Sequence, residues 1–328
     1  MNRRRALATL GSAGLGFLAA KLGAKELSMA ATDDLLSKPL SGFTEKSRDR
    51  LIRIITASDF SGQIPAADVK AICDAEAKTA DAVMLTLLPL AKTYSRPPIS
   101  SYQVGTVVRG LTGTLYLGAN MEFPGHSLGF SVHGEQAALS NAYMHEEQGI
   151  SAIAVTAAPC GHCRQFMNEL APDIQISVQG KPAASLSTLL PFAFGPQDLG
   201  VADRAFPVKE VNLKLDHDGS DELSSVAVEA ARKSYAPYTK AYSGVAIRAR
   251  SGRIFKGAYI ENAAYNPSLP PLQTGLSALV FGGGTFSDIA EVTLVEIGGA
   301  PIKQKSVSEA ILGTIAPNVK LRVVRAKI

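Results

Sequence analysis

Hydrophobic positions change spacing along this chain, and the changes divide it. Over residues 44–92 apolar side chains fall at helical intervals, with Leu51, Ile52, Ile54 and Ile55 in one segment. Thr44 can cap that segment, and Pro65 suits the first turn of a following helix. From Tyr94 the pattern becomes short β-rich runs broken by turns. Residues 104–109 and 114–117 flank Leu111-Thr112-Gly113, a hairpin signal. Ser131 can cap a helix that begins at Val132 and carries Ala137, Ala138 and Leu139. Residues 152–156 then read as a strand, and Cys160 opens another helix. Strand and helix in alternation imply an α/β layer with helices covering the sheet.

The pattern then recurs. Sliding residues 105–122 by 139 positions pairs Gly105 with Gly244, Arg109 with Arg248, Gly113 with Gly252, Gly118 with Gly257, Ala119 with Ala258 and Glu122 with Glu261. Six identities in eighteen positions, several of them turn glycines, indicate a duplicated domain. Between the copies, residues 185–221 are punctuated by Pro and Gly and read as a linker. The organisation expected is a small helical subdomain over 31–78, a first α/β/α domain over 79–199, a linker over 200–221 and a second such domain over 222–328. Each domain is expected to hold a mixed sheet covered by helices. Such a pair fits comfortably in 328 residues.

Charge refines this picture. The formal net charge is +4, but five of the 33 basic residues and one of the 29 acidic residues lie in positions 1–30, leaving 28 of each beyond them. No basic stripe remains for a nucleic-acid backbone, so a small substrate is expected and nucleic acid is not. Within those first 30 residues, Arg3-Arg4-Arg5 precedes an uncharged run over 6–20 that is too short to span a bilayer. Ser28-Met29-Ala30 offers a small-x-small cleavage site, and Arg4-Arg5-Ala6-Leu7 resembles a twin-arginine export signal. Residues 1–30 therefore read as an export signal to the periplasm, with a cytoplasmic protein whose start codon is misassigned as the alternative, and with no further membrane segment expected.

Candidate chemistry concentrates in residues 131–170. His133-Gly134-Glu135 is followed, 26 residues after the histidine, by Pro159-Cys160-Gly161-His162-Cys163. Two of the three cysteines thus fall within four positions. Cys-x-x-Cys alone also suits a redox pair, which would need no partner His-x-Glu. With His133 as a third ligand, a tetrahedral zinc keeps one position open for water. A structural zinc would want a fourth protein ligand, and no third cysteine lies nearby. Glu135 is placed to handle protons at the open position. At a helix start the amide dipoles favour the Cys160 thiolate over the thiol. His162 is expected to project away from the metal, and Cys73 to be a plain buried thiol.

His-x-Glu followed by Pro-Cys-x-x-Cys is the known signature of zinc-dependent nucleobase deaminases. The longer string Pro159-Cys160-Gly161-His162-Cys163-Arg164-Gln165-Phe166-Met167-Asn168-Glu169-Leu170 resembles the cytidine deaminase family in its long, two-domain, homodimeric form. The resemblance extends from about Asp33 onward. It implies hydrolytic deamination of cytidine and deoxycytidine in pyrimidine salvage, with one Zn²⁺ per chain on His133, Cys160 and Cys163. A zinc-bound hydroxide would attack C4 while Glu135 shuttles the proton. In Gly118-Ala119-Asn120-Met121-Glu122-Phe123 it implies that Asn120 and Glu122 bind the sugar hydroxyls. Tyr102 matches an aromatic near the base, and Phe194, in Phe192-Ala193-Phe194-Gly195-Pro196, a segment that closes over the pocket. The string from Asn262 to Gln273 resembles the family's C-terminal domain, in which Tyr265 would wall the active site of the other subunit. At the offset of 139, His133 falls on Leu272, Glu135 on Thr274 and Cys160 on Gly299, so the second copy is expected to hold no metal. Two alternatives stay open: a nucleic-acid base deaminase with the same zinc chemistry, and an exported zinc-binding module without activity.

Overall fold

The computed structural model describes residues 36–172, 174–202, 204–216 and 221–328. The export signal read over 1–30 lies outside the described residues. Helices α1 (Glu45–Ile55) and α2 (Ala66–Glu76) bear out the helical spacing. Thr44 does not cap α1 with its side chain; its hydroxyl and its N–H both donate to Glu76 Oε1, at 2.6 and 2.9 Å, tying the start of α1 to the end of α2. This segment is not all helix. Strand β1 (Gln63–Ile64) pairs antiparallel with β3 (Leu115–Ala119), so the helical segment is sewn into the first sheet. Helix α3 (Ala80–Lys92) is capped by Thr79, whose hydroxyl oxygen accepts from the Ala82 N–H at 3.3 Å.

The hairpin is formed by β2 (Gly105–Gly110) and β3. Then follow α4 (Gly134–Met144), β4 (Ile150–Val155), α5 (Gly161–Leu170), β5 (Gln175–Val178) and β6 (Ala184–Ser185). The first sheet runs β1-β3-β2-β4-β5-β6. Only β4 and β5 are parallel, and a parallel pair needs a crossover, which α5 supplies.

After the short helix α6 (Leu186–Leu189) and strand β7 (Lys214–Leu215) come α7 (Glu222–Arg232), β8 (Ser243–Ala249), β9 (Ile254–Ala258), α8 (Pro271–Phe281), β10 (Ile289–Ile297), α9 (Lys305–Ile315) and β11 (Leu321–Lys327). The second sheet runs β7-β11-β10-β8-β9, with β10 and β11 parallel. Its central order β11-β10-β8-β9 repeats β5-β4-β2-β3 of the first sheet. The stretch read as a linker is thus partly built into both sheets, because β6 pairs with β5 and β7 pairs with β11.

Both copies seat a helix on a strand through one glycine. A Cβ on Gly118 would lie 2.2 Å from the Gly134 carbonyl oxygen and 2.5 Å from the Ala138 Cβ. A Cβ on Gly257 would lie 2.4 Å from the Pro271 carbonyl oxygen and 2.2 Å from the Gly275 N. Only glycine lets these backbones approach so closely. One apolar core runs continuously from Leu36 through both sheets to Ala316, while a smaller cluster around Leu213, Ala227 and Val295 packs with the second sheet. Among the described residues no helix is long and apolar enough to cross a membrane.

Candidate metal centre and active site

The first helix of the site starts two residues later than its sequence suggests. Val132 exchanges both backbone hydrogen bonds with Met121 at 2.9 Å and so cannot enter a helix. Ser131 instead follows a short 3₁₀ turn, Leu128–Phe130. Residue His133 takes the cap position in extended conformation, and α4 begins at Gly134. Cys160 occupies the same place on α5, with Cys163 in that helix's first turn. Two helix N-termini therefore meet at one point, as expected.

His133 Nδ1 lies 3.5 Å from Cys160 Sγ, which lies 3.6 Å from Cys163 Sγ. A tetrahedral zinc with Zn–S of about 2.3 Å and Zn–N of about 2.0–2.1 Å requires S···S of about 3.8 Å and N···S of about 3.5 Å. The three donors fit that ion. They are the one such group among the described residues, and they run from the exposed Cys160 to the fully buried Cys163. The Cys163 thiol, then His133, hold Cys160 down to about 3, while the hydrogen bond to Cys160, aided by burial, pushes Cys163 well up. Zinc takes cysteines as thiolates, so its binding would release protons. Arg164 braces the ligand turn by donating from Nε to the Pro159 carbonyl at 2.9 Å and from a terminal nitrogen to the Leu189 carbonyl at 2.7 Å. His162 is not one of the donors; its ring stacks on that of His133 at 5.3 Å.

Glu135 stands on the first turn of α4, only 5% exposed, and burial pushes its carboxyl above the ordinary range. It is not among the clustered metal donors. Asn120 and Glu122 flank Met121, whose backbone pairs with Val132 beside His133. Both side chains engage the preceding loop. Asn120 Oδ1 accepts from the Val104 N–H at 2.9 Å, and its Nδ2 donates to the Tyr102 carbonyl at 2.9 Å. Burial opposes the Glu122 charge, but hydrogen bonds from Ser100 and Ile99 hold that carboxyl below the ordinary range.

The three aromatic candidates all stand exposed on this chain. Tyr102 is 60% exposed, Phe194 45% and Tyr265 62%. The Phe194 carbonyl accepts from Gln165 Nε2 at 2.7 Å and Asn168 Nδ2 at 3.0 Å, which docks its segment on α5. Tyr265, at φ 62°, meets Tyr238 edge to face at 6.5 Å.

Sequence reasoning missed a set of polar residues that join the copies. Gln136 Oε1 accepts from the His133 N–H at 3.2 Å, and its Nε2 donates to the Pro267 carbonyl at 3.1 Å. A glutamine three residues after a helix cap was the available signal. On α5, buried Glu169 accepts from the Ala263 N–H at 2.9 Å and from the Tyr235 and Tyr238 hydroxyls at 2.8 and 2.5 Å. Asn262 Nδ2 donates to the Gln165 carbonyl at 3.0 Å.

The register of the second copy also needs correcting. The offset of 139 holds through Met121, since the Arg96–Met121 bridge matches Tyr235–Ile260. Beyond it the loop is two residues shorter: the Met121–Val132 bridge matches Ile260–Leu269, and α8 starts 137 residues after α4. His133 thus corresponds to Pro270 and Glu135 to Leu272, not to Leu272 and Thr274. By helix start, Cys160 corresponds to Gln304 and Cys163 to Val307, not to the neighbourhood of Gly299. The second copy still offers no ligand at any of these positions.

Comparisons with known proteins point to one family. Residues 77–177 and 186–309 each match a model described as the cytidine and deoxycytidylate deaminase zinc-binding region. The chain is 42% identical over 282 residues to the cytidine deaminase of Vibrio vulnificus (strain YJ016), covering 85% of this chain and 95% of that one. It is 41% identical over 264 residues to the cytidine deaminase of Pectobacterium carotovorum subsp. carotovorum (strain PC1), covering 80% and 88%. The crystal structure of cytidine deaminase from Burkholderia pseudomallei aligns with 34% of this chain and 98% of that one, at 30% identity and a TM-score of 0.32.

Proposed function

This chain belongs to the cytidine deaminase family, and from that premise we propose that it hydrolyses the C4 amine of cytidine and deoxycytidine in pyrimidine salvage, releasing ammonia and the uracil nucleoside. The observation that carries this reading is the buried Glu135, two residues past one member of a donor triangle sized for zinc. Zinc held by His133, Cys160 and Cys163 supplies the Lewis acidity that makes water nucleophilic near neutral pH. Glu135 would take the proton that the attacking water gives up and deliver it to ring N3, then take the remaining hydroxyl proton at C4 and pass it to the amine, which leaves as ammonia while the C4 carbonyl forms. A carboxyl whose pKa is raised by burial suits a group that must be protonated in mid-reaction.

Asn120 and Glu122 supply the amide and carboxylate that a sugar diol can pair with. The Met121–Val132 pairing supports this, because Asn120 and Glu122 flank Met121 in sequence and Val132 directly precedes His133. The exposed rings of Tyr102, Phe194 and Tyr265 support a homodimer with composite sites, in which Tyr265 of one chain walls the pyrimidine pocket of the other. A nucleic-acid substrate would want a basic groove, and the balanced charge beyond residue 30 speaks against it.

An ultraviolet assay with purified, zinc-loaded protein tests the reading. Cytidine and deoxycytidine should lose their absorbance with stoichiometric release of ammonia. No turnover of either nucleoside by fully zinc-loaded protein would leave the zinc-binding module without activity as the surviving interpretation.

A further inference from the structure

Gln136 joins two parts of the molecule that the reaction itself does not explain. Its side-chain oxygen accepts from the backbone N–H of His133, and its amide nitrogen donates to the carbonyl of Pro267 in the second copy. Only one orientation of the amide serves both partners, since the first needs an acceptor and the second a donor. Gln136 is 2% exposed, so both bonds are made away from water, where an unmade one is costly.

The molecule contains its own comparison. At the helix register Gln136 corresponds to Gln273, three residues after the cap residue Pro270. Proline has no N–H to offer. Correspondingly, Gln273 Oε1 is one of the few buried polar atoms without a partner among the described residues. The glutamine stands in both copies, but its hydrogen bond to the cap residue is completed only where that residue is a candidate metal ligand.

The same second-copy loop also grips the other ligand-bearing helix. Asn262 donates to the Gln165 carbonyl, and the Ala263 N–H donates to Glu169, both on α5. One loop, from Asn262 to Pro267, thus holds the start of α4 and the body of α5 together. The spacing of His133 from Cys160 and Cys163 depends on how those two helices sit.

We propose that Gln136 is a positioning residue that locks the His133 backbone to the second copy's loop, making the ligand-free copy part of the scaffold that fixes the zinc-binding geometry. This rests on the reading of His133, Cys160 and Cys163 as the zinc ligands. The role is exerted through His133 and requires no contact with substrate.

The test compares zinc release to a chromogenic chelator in wild type, Gln136→Met, Gln136→Glu and Gln273→Met. Outer-sphere partners of metal ligands typically carry roughly 10–100-fold in metal affinity or activity. Release from Gln136→Met should accelerate within that range, with kcat falling and KM for cytidine holding within about twofold. Gln136→Glu keeps an oxygen for the His133 N–H and loses the donor to Pro267, so its release rate should fall between the two. The visible bands of the cobalt-substituted protein should shift in both Gln136 variants and not in Gln273→Met. Gln273→Met removes the same amide from the matching helix position and should release zinc within about twofold of wild type. Wild-type release from Gln136→Met, or equal acceleration in Gln273→Met, would overturn the proposal. Should Gln136→Met not fold, unchanged release from Gln136→Glu overturns it equally. A wild-type protein that retains no zinc would instead refute the ligand assignment on which the inference stands.

Discussion

Glu122 and Glu261, 139 residues apart, hold their loops with the same three hydrogen bonds. The first accepts from the Ile99 and Ser100 N–H groups and the Ser100 hydroxyl at 2.8, 2.9 and 2.5 Å. The second accepts from the Tyr238 and Thr239 N–H groups and the Thr239 hydroxyl at 2.8, 3.1 and 2.6 Å. The second copy has no candidate metal group, so holding the loop is a job this glutamate does without catalysis. Glu261→Gln should therefore lower stability by on the order of 1–3 kcal/mol in chemical denaturation and leave KM for cytidine unchanged. Glu122→Gln should lower stability and also raise KM. A Glu122→Gln protein with wild-type KM would remove the sugar contact from its role.

Glu135→Gln separates proton transfer from metal binding. The variant should keep its zinc, because the carboxylate is not among the clustered donors. Turnover should fall by at least the roughly 10²–10⁴-fold typical of a general acid–base group, since this residue acts at several steps. Substrate affinity should change far less. Metal analysis and steady-state kinetics on one preparation check both parts.

Metal content should be one zinc per chain, because Pro270, Gln304 and Val307 stand where the second copy would need ligands. Cys163→Ala should lose metal and activity together, as two protein ligands rarely hold zinc tightly. A stoichiometry near two would contradict the register derived from the helix starts.

Stability below neutral pH should carry a signature of Glu76. Burial opposes its charge, yet hydrogen bonds led by those from Thr44 and Ser47 hold the carboxyl down to about 2 from an ordinary 4.5. A carboxyl lowered on folding adds stability that is fully present above its unfolded value and lost as pH falls through its folded one. The gap in Tm between wild type and Glu76→Gln should be widest above about pH 5 and should close toward about pH 2. A gap that stayed constant over this range would contradict the assignment.

Subunit mixing tests the composite site. A Glu135→Ala chain and a Tyr265→Ala chain, each weak alone, should regain activity when their dimers exchange. The hybrid then holds one doubly altered site and one intact site. No recovery in demonstrably mixed dimers would place Tyr265 in the site of its own chain.

The ligand triangle was legible in the sequence because its chemistry is local. Cys160 and Cys163 share one turn, and His133 and Glu135 share another, so spacing alone brought out both halves. The hairpin and the duplication were legible for the same reason, through turn glycines at fixed separation. The start of α4 was not, because a distant strand residue, Met121, claims both backbone groups of Val132. The register of the second copy failed beyond Glu261 because a two-residue loop deletion leaves no mark on identities upstream of it. Gln136 was overlooked because half of its meaning lies in Pro267, 131 residues away. Tyr102, Phe194 and Tyr265 are exposed in one chain, and nothing in local pattern says what should cover them.

The core that runs unbroken through both sheets has a consequence for how such a protein can diverge. Two identical single-domain chains packed face to face must present the same residue at both equivalent positions, so each change is made twice. Once the halves are tethered in one polypeptide, the partner is always present at high effective concentration, and the two faces can specialise separately. His133 and Pro270 record that division of labour. One half keeps at its helix cap a candidate ligand whose backbone N–H also serves Gln136. The other half, with no ligand to hold at that position, can spend it on a proline whose ring fixes the backbone.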